Sequence, residues 1–143
     1  MGFTNKGAAR MFDSFFRNQN TPTTFNLHLC TAATAPTADT NTLSDLTEVS
    51  SAGYASQAYA RNTTNFPTLS ENDASDYGGV ISANVVFTAS GGPITDARYL
   101  VLCDDNATPG SREVIGVHDL LVDRSVADGE SLTITAPEFR GVN

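Results

Sequence analysis

Tryptophan is absent from the 143 residues, lysine occurs once, at Lys6, and there are two cysteines and two histidines. Eight basic residues stand against 16 acidic ones, giving a formal charge of −8. No basic stripe exists to neutralise a phosphate backbone, so nucleic acid is not an expected partner. No apolar run approaches the roughly 20 residues of a membrane span, and the basic-then-apolar order of a secretory leader is missing. The expectation is therefore a protein that is made and assembled in a cytoplasm, with no membrane partner. Cys30 and Cys103 lie too far apart in sequence for a metal knuckle and each closes an apolar run, which favours buried free thiols over a disulfide.

Signatures of chemistry are missing as well. There is no G-x-S-x-G, no G-x-x-x-x-G-K-[ST] and no H-E-x-x-H, each of which presents its reactive groups on one turn or helix face. His28 and His118 have no Cys or His near them in sequence, so zinc would need long-range ligands. His28 falls on the more polar face of a strand-like segment, where a solvated or hydrogen-bonded structural imidazole is the expected state. Asp104-Asp105-Asn106 is the densest acidic cluster, but it lacks the spacing and distal Glu of a Ca²⁺ loop and reads as a turn. Glu48, Asp73, Asp76 and Glu113 could act as paired carboxylates only by converging in space, and there is no tryptophan to serve as a sugar platform. No catalytic, cofactor-binding or metal-binding residue is assigned. The chain is expected not to be an enzyme and to need no cofactor.

What is present is a globular composition, 40% hydrophobic, with heavy use of Thr, Ala, Ser and Asn. One domain's worth of core is available at this length. Across residues 3–18, Ala8, Met11, Phe12, Phe15 and Phe16 recur at helical spacing behind a capping Thr4. Lys6, Arg10, Asp13, Ser14 and Arg17 occupy the other face, which is expected to be solvated. Burying Met11 and the three Phe side chains would contribute about 6 to 12 kcal/mol as an upper estimate. The stripe therefore calls for a cover, either the chain's own sheet or a neighbouring subunit.

After residue 24 the period shifts from helical to two. Thr24 to Cys30 alternates Phe25, Leu27 and Leu29 against Asn26, His28 and Cys30, as a half-buried strand does. Strand patterns recur over residues 55–61, 80–89, 97–103, 113–118 and 131–135, and the nearly all-apolar run at 97–103 reads as a central strand. Residues 31–49 and 62–79 read as long loops, the second expected to be pinned to the core by Phe66 and Leu69. About six strands separated by turn signals, behind one helix, predict a mainly β chain: an antiparallel β-sandwich or jelly-roll-like domain with one N-terminal amphipathic helix. The division is a helical arm over residues 1–20 and a single β domain over 21–143. The expected protein-contact residues are Phe3, Lys6, Met11, Phe12, Phe15 and Phe16.

Several motifs occur together in order: Gly2-Phe3-Thr4-Asn5-Lys6-Gly7 leading the helix, Pro22-Thr23-Thr24-Phe25-Asn26-Leu27-His28-Leu29-Cys30-Thr31-Ala32, then Ala35-Pro36-Thr37, Glu48-Val49 and Gly53-Tyr54. An apolar strand ending at Asp104 and the pair Gly129-Glu130 complete the series. Along most of its length the chain thus resembles a family of short tailed-phage virion proteins, described as tail-fibre-like or virion-associated. The resemblance implies a structural role in the virion. A capsid decoration (cement) protein on the outer shell is the first expectation, and a tail-associated fibre, tip or adaptor subunit the alternative. The implied partners are other virion proteins, the major capsid protein or tail proteins, with the chain itself a homo-oligomer, most simply a trimer.

Overall fold

The computed structural model describes residues 2–140, which form one α-helix and nine strands. Helix α1 spans Asn5–Arg17. The strands are β1 Thr24–Cys30, β2 Gln57–Ala60, β3 Thr68–Asn72, β4 Tyr77–Ile81, β5 Val85–Thr88, β6 Ile94–Cys103, β7 Val114–Val126, β8 Ser131–Ile134 and β9 Glu138–Arg140. All the strand pairings are antiparallel, in three sheets ordered β2-β1-β6-β7, β3-β4-β9 and β5-β8. The protein is mainly β and sandwich-like, with its helix at the N-terminal end.

The alternation in β1 explains the layers. Leu27 and Leu29 point to one side of the four-stranded sheet with Leu100 and Leu102 of β6, and all four are buried. Facing them are Val85 and Phe87 of β5, Leu132 and Ile134 of β8, and Phe139 of β9, so the two smaller sheets form the opposite layer of one core. The other side of the four-stranded sheet carries His28, Cys30, Val101, Cys103, Val114 and Val117, and it too is closed to solvent. Its cover is the segment 31–49, which makes a single turn of 3₁₀ helix at Leu43–Asp45 and places Leu43 and Leu46 on Val101, Cys103 and Val114. A strand buried on both faces has no polar side to display, which is why residues 97–103 read as continuous apolar sequence.

Three local readings are corrected. Residues 62–79 are not a loop throughout: Thr68–Asn72 pairs with Tyr77–Ile81 as a hairpin, hidden because its exposed residues mix Thr68, Leu69, Glu71 and Gly78 and show no period. The strand pattern over residues 80–89 is two strands in different sheets, parted at Ser82–Asn84. The run that reads as a strand over residues 113–118 extends through Val126 with an outward bulge, since Asp119 pairs with Tyr99 while Arg124 pairs with Ala97. Glu138–Arg140 forms a short ninth strand too brief to show a period.

Candidate functional site

The way α1 meets the rest of the chain reverses the simplest reading of its stripe. Thr4 caps the helix by accepting from the Gly7 amide at 2.9 Å, while its hydroxyl donates to the Val114 carbonyl. The Thr4 amide donates to the Ile115 carbonyl at 3.0 Å, so the cap and the edge of β7 are joined at several points. Gly7 is the helix residue that becomes buried. A Cβ there would lie 2.0 Å from the Ile115 carbonyl oxygen, a separation no side chain tolerates, so the helix backbone lies directly on the strand because position 7 has no side chain.

The charged residues are the second attachment. Arg10 Nη2 lies 2.6 Å from Asp104 Oδ2, and Arg10 Nε lies 2.6 Å from Glu113 Oε2. Lys6 Nζ is 3.3 Å from Glu113 Oε1. The face expected to be solvated is therefore partly turned onto the β domain. Asp104 is buried, and an Arg with two carboxylates at this distance makes charge-assisted hydrogen bonds stronger than neutral ones. Arg17 pairs with Asp13 within the helix at 2.9 Å.

Docking by a glycine and by charges leaves the aromatic stripe outside. Phe12 is 63% exposed, Phe15 84%, Phe16 75% and Met11 40%. The rings touch one another rather than a core: Phe15 and Phe16 meet edge to face with centroids 5.0 Å apart, and Phe12 and Phe16 are 6.2 Å apart. Lone exposed apolar residues are ordinary, but three contiguous phenylalanines are not. Of the six residues expected to make protein contacts, Met11, Phe12, Phe15 and Phe16 gather in this patch. Lys6 is engaged with Glu113. Phe3 belongs with the core: its backbone bridges to Gly116 and its ring packs on the main cluster.

Two clefts adjoin the ridge and share Met11 and Phe3. One, of about 680 Å³, runs between the C-terminal half of α1 and the β domain and is lined by Met11, Phe15, Phe25, Phe66 and Ile115 together with Arg10 and Arg61. The other, of about 830 Å³, lies between Ala8, Met11 and Phe12 of the helix and the β3–β4 hairpin, whose Leu69, Asp73 and Asp76 line it. Leu69 is 84% exposed. Of the two residues expected to anchor segment 62–79 to the core, Phe66 does so, packing on Phe25. Leu69 instead points into solvent because its strand lies at the edge of its sheet, and Arg61 ends a strand pattern that gave no sign of a contact.

The remaining candidates are used internally. His28 is buried, with Nδ1 2.7 Å from Glu48 Oε1 and Nε2 3.0 Å from Arg112 Nη1. A guanidinium can only donate, so Nε2 accepts and Nδ1 carries the proton toward the carboxylate. Tyr54 donates its hydroxyl to the same Glu48 oxygen at 2.8 Å and accepts from the Leu29 amide. Burial pushes the Glu48 carboxyl up, but hydrogen bonds from His28 and Tyr54 and the charge of Arg112 outweigh it and hold the group below its ordinary range. With both ring nitrogens occupied, His28 fastens segment 31–49 and, through Arg112, the turn leading into β7 to β1. It has no free nitrogen for a substrate.

The acidic turn is similarly committed. Asp104 accepts from the Asn106 and Glu113 amides, Asp105 from the Thr23 amide, and Asn106 from the Thr108 amide. Among the described residues no group of three or more His, Cys, Asp or Glu side chains is placed to hold a metal ion. Glu48 and Glu113 serve the His28 and Arg10 networks respectively, while Asp73 and Asp76 lie on the hairpin, so these four carboxylates do not form one site. Cys30 and Cys103 are free and buried. Asn26 is the register partner of Cys103 and Cys30 lies four residues further along β1, roughly 13 Å at strand rise, beyond disulfide reach. Burial, and next to it the Glu48 charge, pushes the Cys30 thiol up to about 12, so it is inert rather than nucleophilic.

A second apolar exposure lies on the β7 bulge, where Leu121 and Val122 are exposed. Leu121 is held at φ 69° with its amide donating to Asp119 Oδ1 at 2.7 Å, and Asp119 in turn pairs with Arg98 at 2.7 Å. No helix among the described residues is long and apolar enough to cross a membrane. Comparison with protein-family models, with curated proteins and with solved structures found no match.

Proposed function

We propose that this chain is a non-catalytic structural subunit of a tailed-bacteriophage virion, in first place a decoration protein bound to the outer capsid shell, with the exposed face of α1 as its working surface. The observation that carries the reading is the cluster of Phe12, Phe15 and Phe16 in solvent. An aromatic side chain can bury about 150 to 250 Å², and among the described residues most of that area on the three rings is left uncovered. The sequence motifs that resemble short virion proteins supply the setting, and the acidic surface, which repels packaged DNA, suits the outside of a shell.

A tail-associated role is the second reading, favoured by the apolar Leu121-Val122 bulge of β7, an exposed surface outside α1. Copy number in purified virions, counted by quantitative mass spectrometry, tests both. Hundreds of copies are expected for a shell protein and a few to dozens for a tail component. Complete absence of the chain from purified particles overturns the proposal.

A further inference from the structure

We infer that the occupant of the α1 face is a second copy of this chain, set so that the acidic β3–β4 hairpin of one copy meets the arginine-lined cleft of the next. This rests on the reading of α1 as the working surface and names what covers it. The two clefts beside the aromatic ridge differ in charge. One, with Phe25 and Phe66 in its wall, carries the exposed Arg61. At the other the hairpin presents the exposed Leu69 with Glu71, Asp73 and Asp76, all three exposed. Among the described residues none of these four charges has an ionic partner in the chain.

A single molecule therefore carries an apolar knob with anions and an apolar hole with a cation, both beside one ridge. A chain of net charge −8 repels its own copies, so a contact between copies has to place a cation against an anion where they meet. Arg61 is a cation in the cleft wall, and the hairpin is a concentrated anion. Because each copy presents both halves, the contact either reciprocates about a two-fold axis or repeats head to tail, giving a ring where the rotation closes and a filament where it does not. The three-membered assembly implied by the sequence resemblance is of the second kind.

Sedimentation equilibrium of the full chain from about 1 to 200 µM reads the outcome. The wild type is expected to associate, and Arg61→Glu alone, or Glu71→Arg with Asp73→Arg, to weaken association at least tenfold. Combining all three changes in one chain is expected to restore it, because the reversed charges again face one another. Unchanged melting temperatures establish that the variants are folded, which is expected since all three positions are exposed. A wild type that stays monomeric across the range overturns the inference. So does association that ignores the single reversals, or that the combined variant fails to recover. Virion incorporation separates this from the functional reading: a monomeric chain found on particles removes the self-contact and leaves the structural role standing, whereas a self-associating chain absent from particles does the reverse.

Discussion

Segment 31–49 has no apolar period and buries Leu43, Leu46 and Val49, whereas α1 has a regular apolar stripe and holds most of it in solvent. Both lie against the four-stranded sheet or its edge. The loop covers the face that carries His28, Cys30 and Val101, which must be closed because those side chains point outward from a sheet whose inner face is already full. The helix reaches β7 through Gly7, Thr4 and Arg10, a contact that selects a small residue, a cap and a charge. Amphipathic periodicity thus states that a face will be covered and leaves the identity of the cover open. Irregular sequence, conversely, can supply a full layer when a sheet face demands one.

The sharpest way to break this contrast is a cavity under the loop. Leu43→Ala removes a side chain that is 3% exposed and packed on Val101 and Val114. The expected loss is about 2 to 5 kcal/mol, the range for a buried Leu truncation. Chemical denaturation checks it, and a loss below about 1 kcal/mol would mean the loop is a loose cover rather than a layer of core.

Next in size is Gly7→Ala. Alanine favours an isolated helix over glycine by about 1 kcal/mol, but its Cβ would meet the Ile115 carbonyl oxygen at 2.0 Å, and backbone on both sides resists the shift. The expected net loss is about 1 to 3 kcal/mol, with the helical signal in far-ultraviolet circular dichroism retained. Stabilisation by this change would show that α1 does not rest on β7 through its backbone.

The network that fastens the loop gives a smaller effect with a pH signature. Because the Glu48 carboxyl is held below its ordinary value of 4.5 in the folded chain, its contribution is fully present above that pH and is lost as pH falls through the lower folded value. Glu48→Gln is expected to cost about 1 to 2 kcal/mol at neutral pH, the scale of hydrogen bonds to a charged group. It should also flatten the acid limb of the stability curve below about pH 4.5. A variant whose stability falls with acid as steeply as the wild type would assign that limb to other carboxylates.

How much of this was legible in sequence follows from which forces act locally. The strand Thr24–Cys30 and the all-apolar strand ending at Cys103 are visible because burial on one or two faces writes a period or its absence directly into the chain. The helix, its Thr4 cap and its aromatic stripe are visible for the same reason. The β3–β4 hairpin is not, because none of its residues is fully buried and partial exposure imposes no clear pattern. Nor is the pairing of Arg10 with Asp104 and Glu113, which depends on strands 94 and 103 positions away. The outward turn of the Phe residues depends on that pairing and on Gly7, so the candidate surface could be named from the sequence but its exposure could not.

The smallest expected effect on the isolated chain is also the one that carries most about its role. Phe12→Ser, Phe15→Ser and Phe16→Ser together remove three rings whose contacts within the chain are mainly with one another. Surface substitutions of this kind move stability by about 0.5 kcal/mol or less each, and here some of the lost ring contact is offset by the apolar area withdrawn from water. The melting transition of the dilute protein is therefore expected to be nearly unchanged. By contrast Phe87→Ala, at a position 1% exposed in the main core, is expected to cost about 3 to 5 kcal/mol. If the triple Ser variant melted as low as Phe87→Ala, the rings would be part of the fold, packed inward on the cleft beside Phe25 and Phe66, and α1 would not be a contact surface. If it melts with the wild type yet no longer joins the particle, the energy of the stripe is realised between molecules, as its exposure requires.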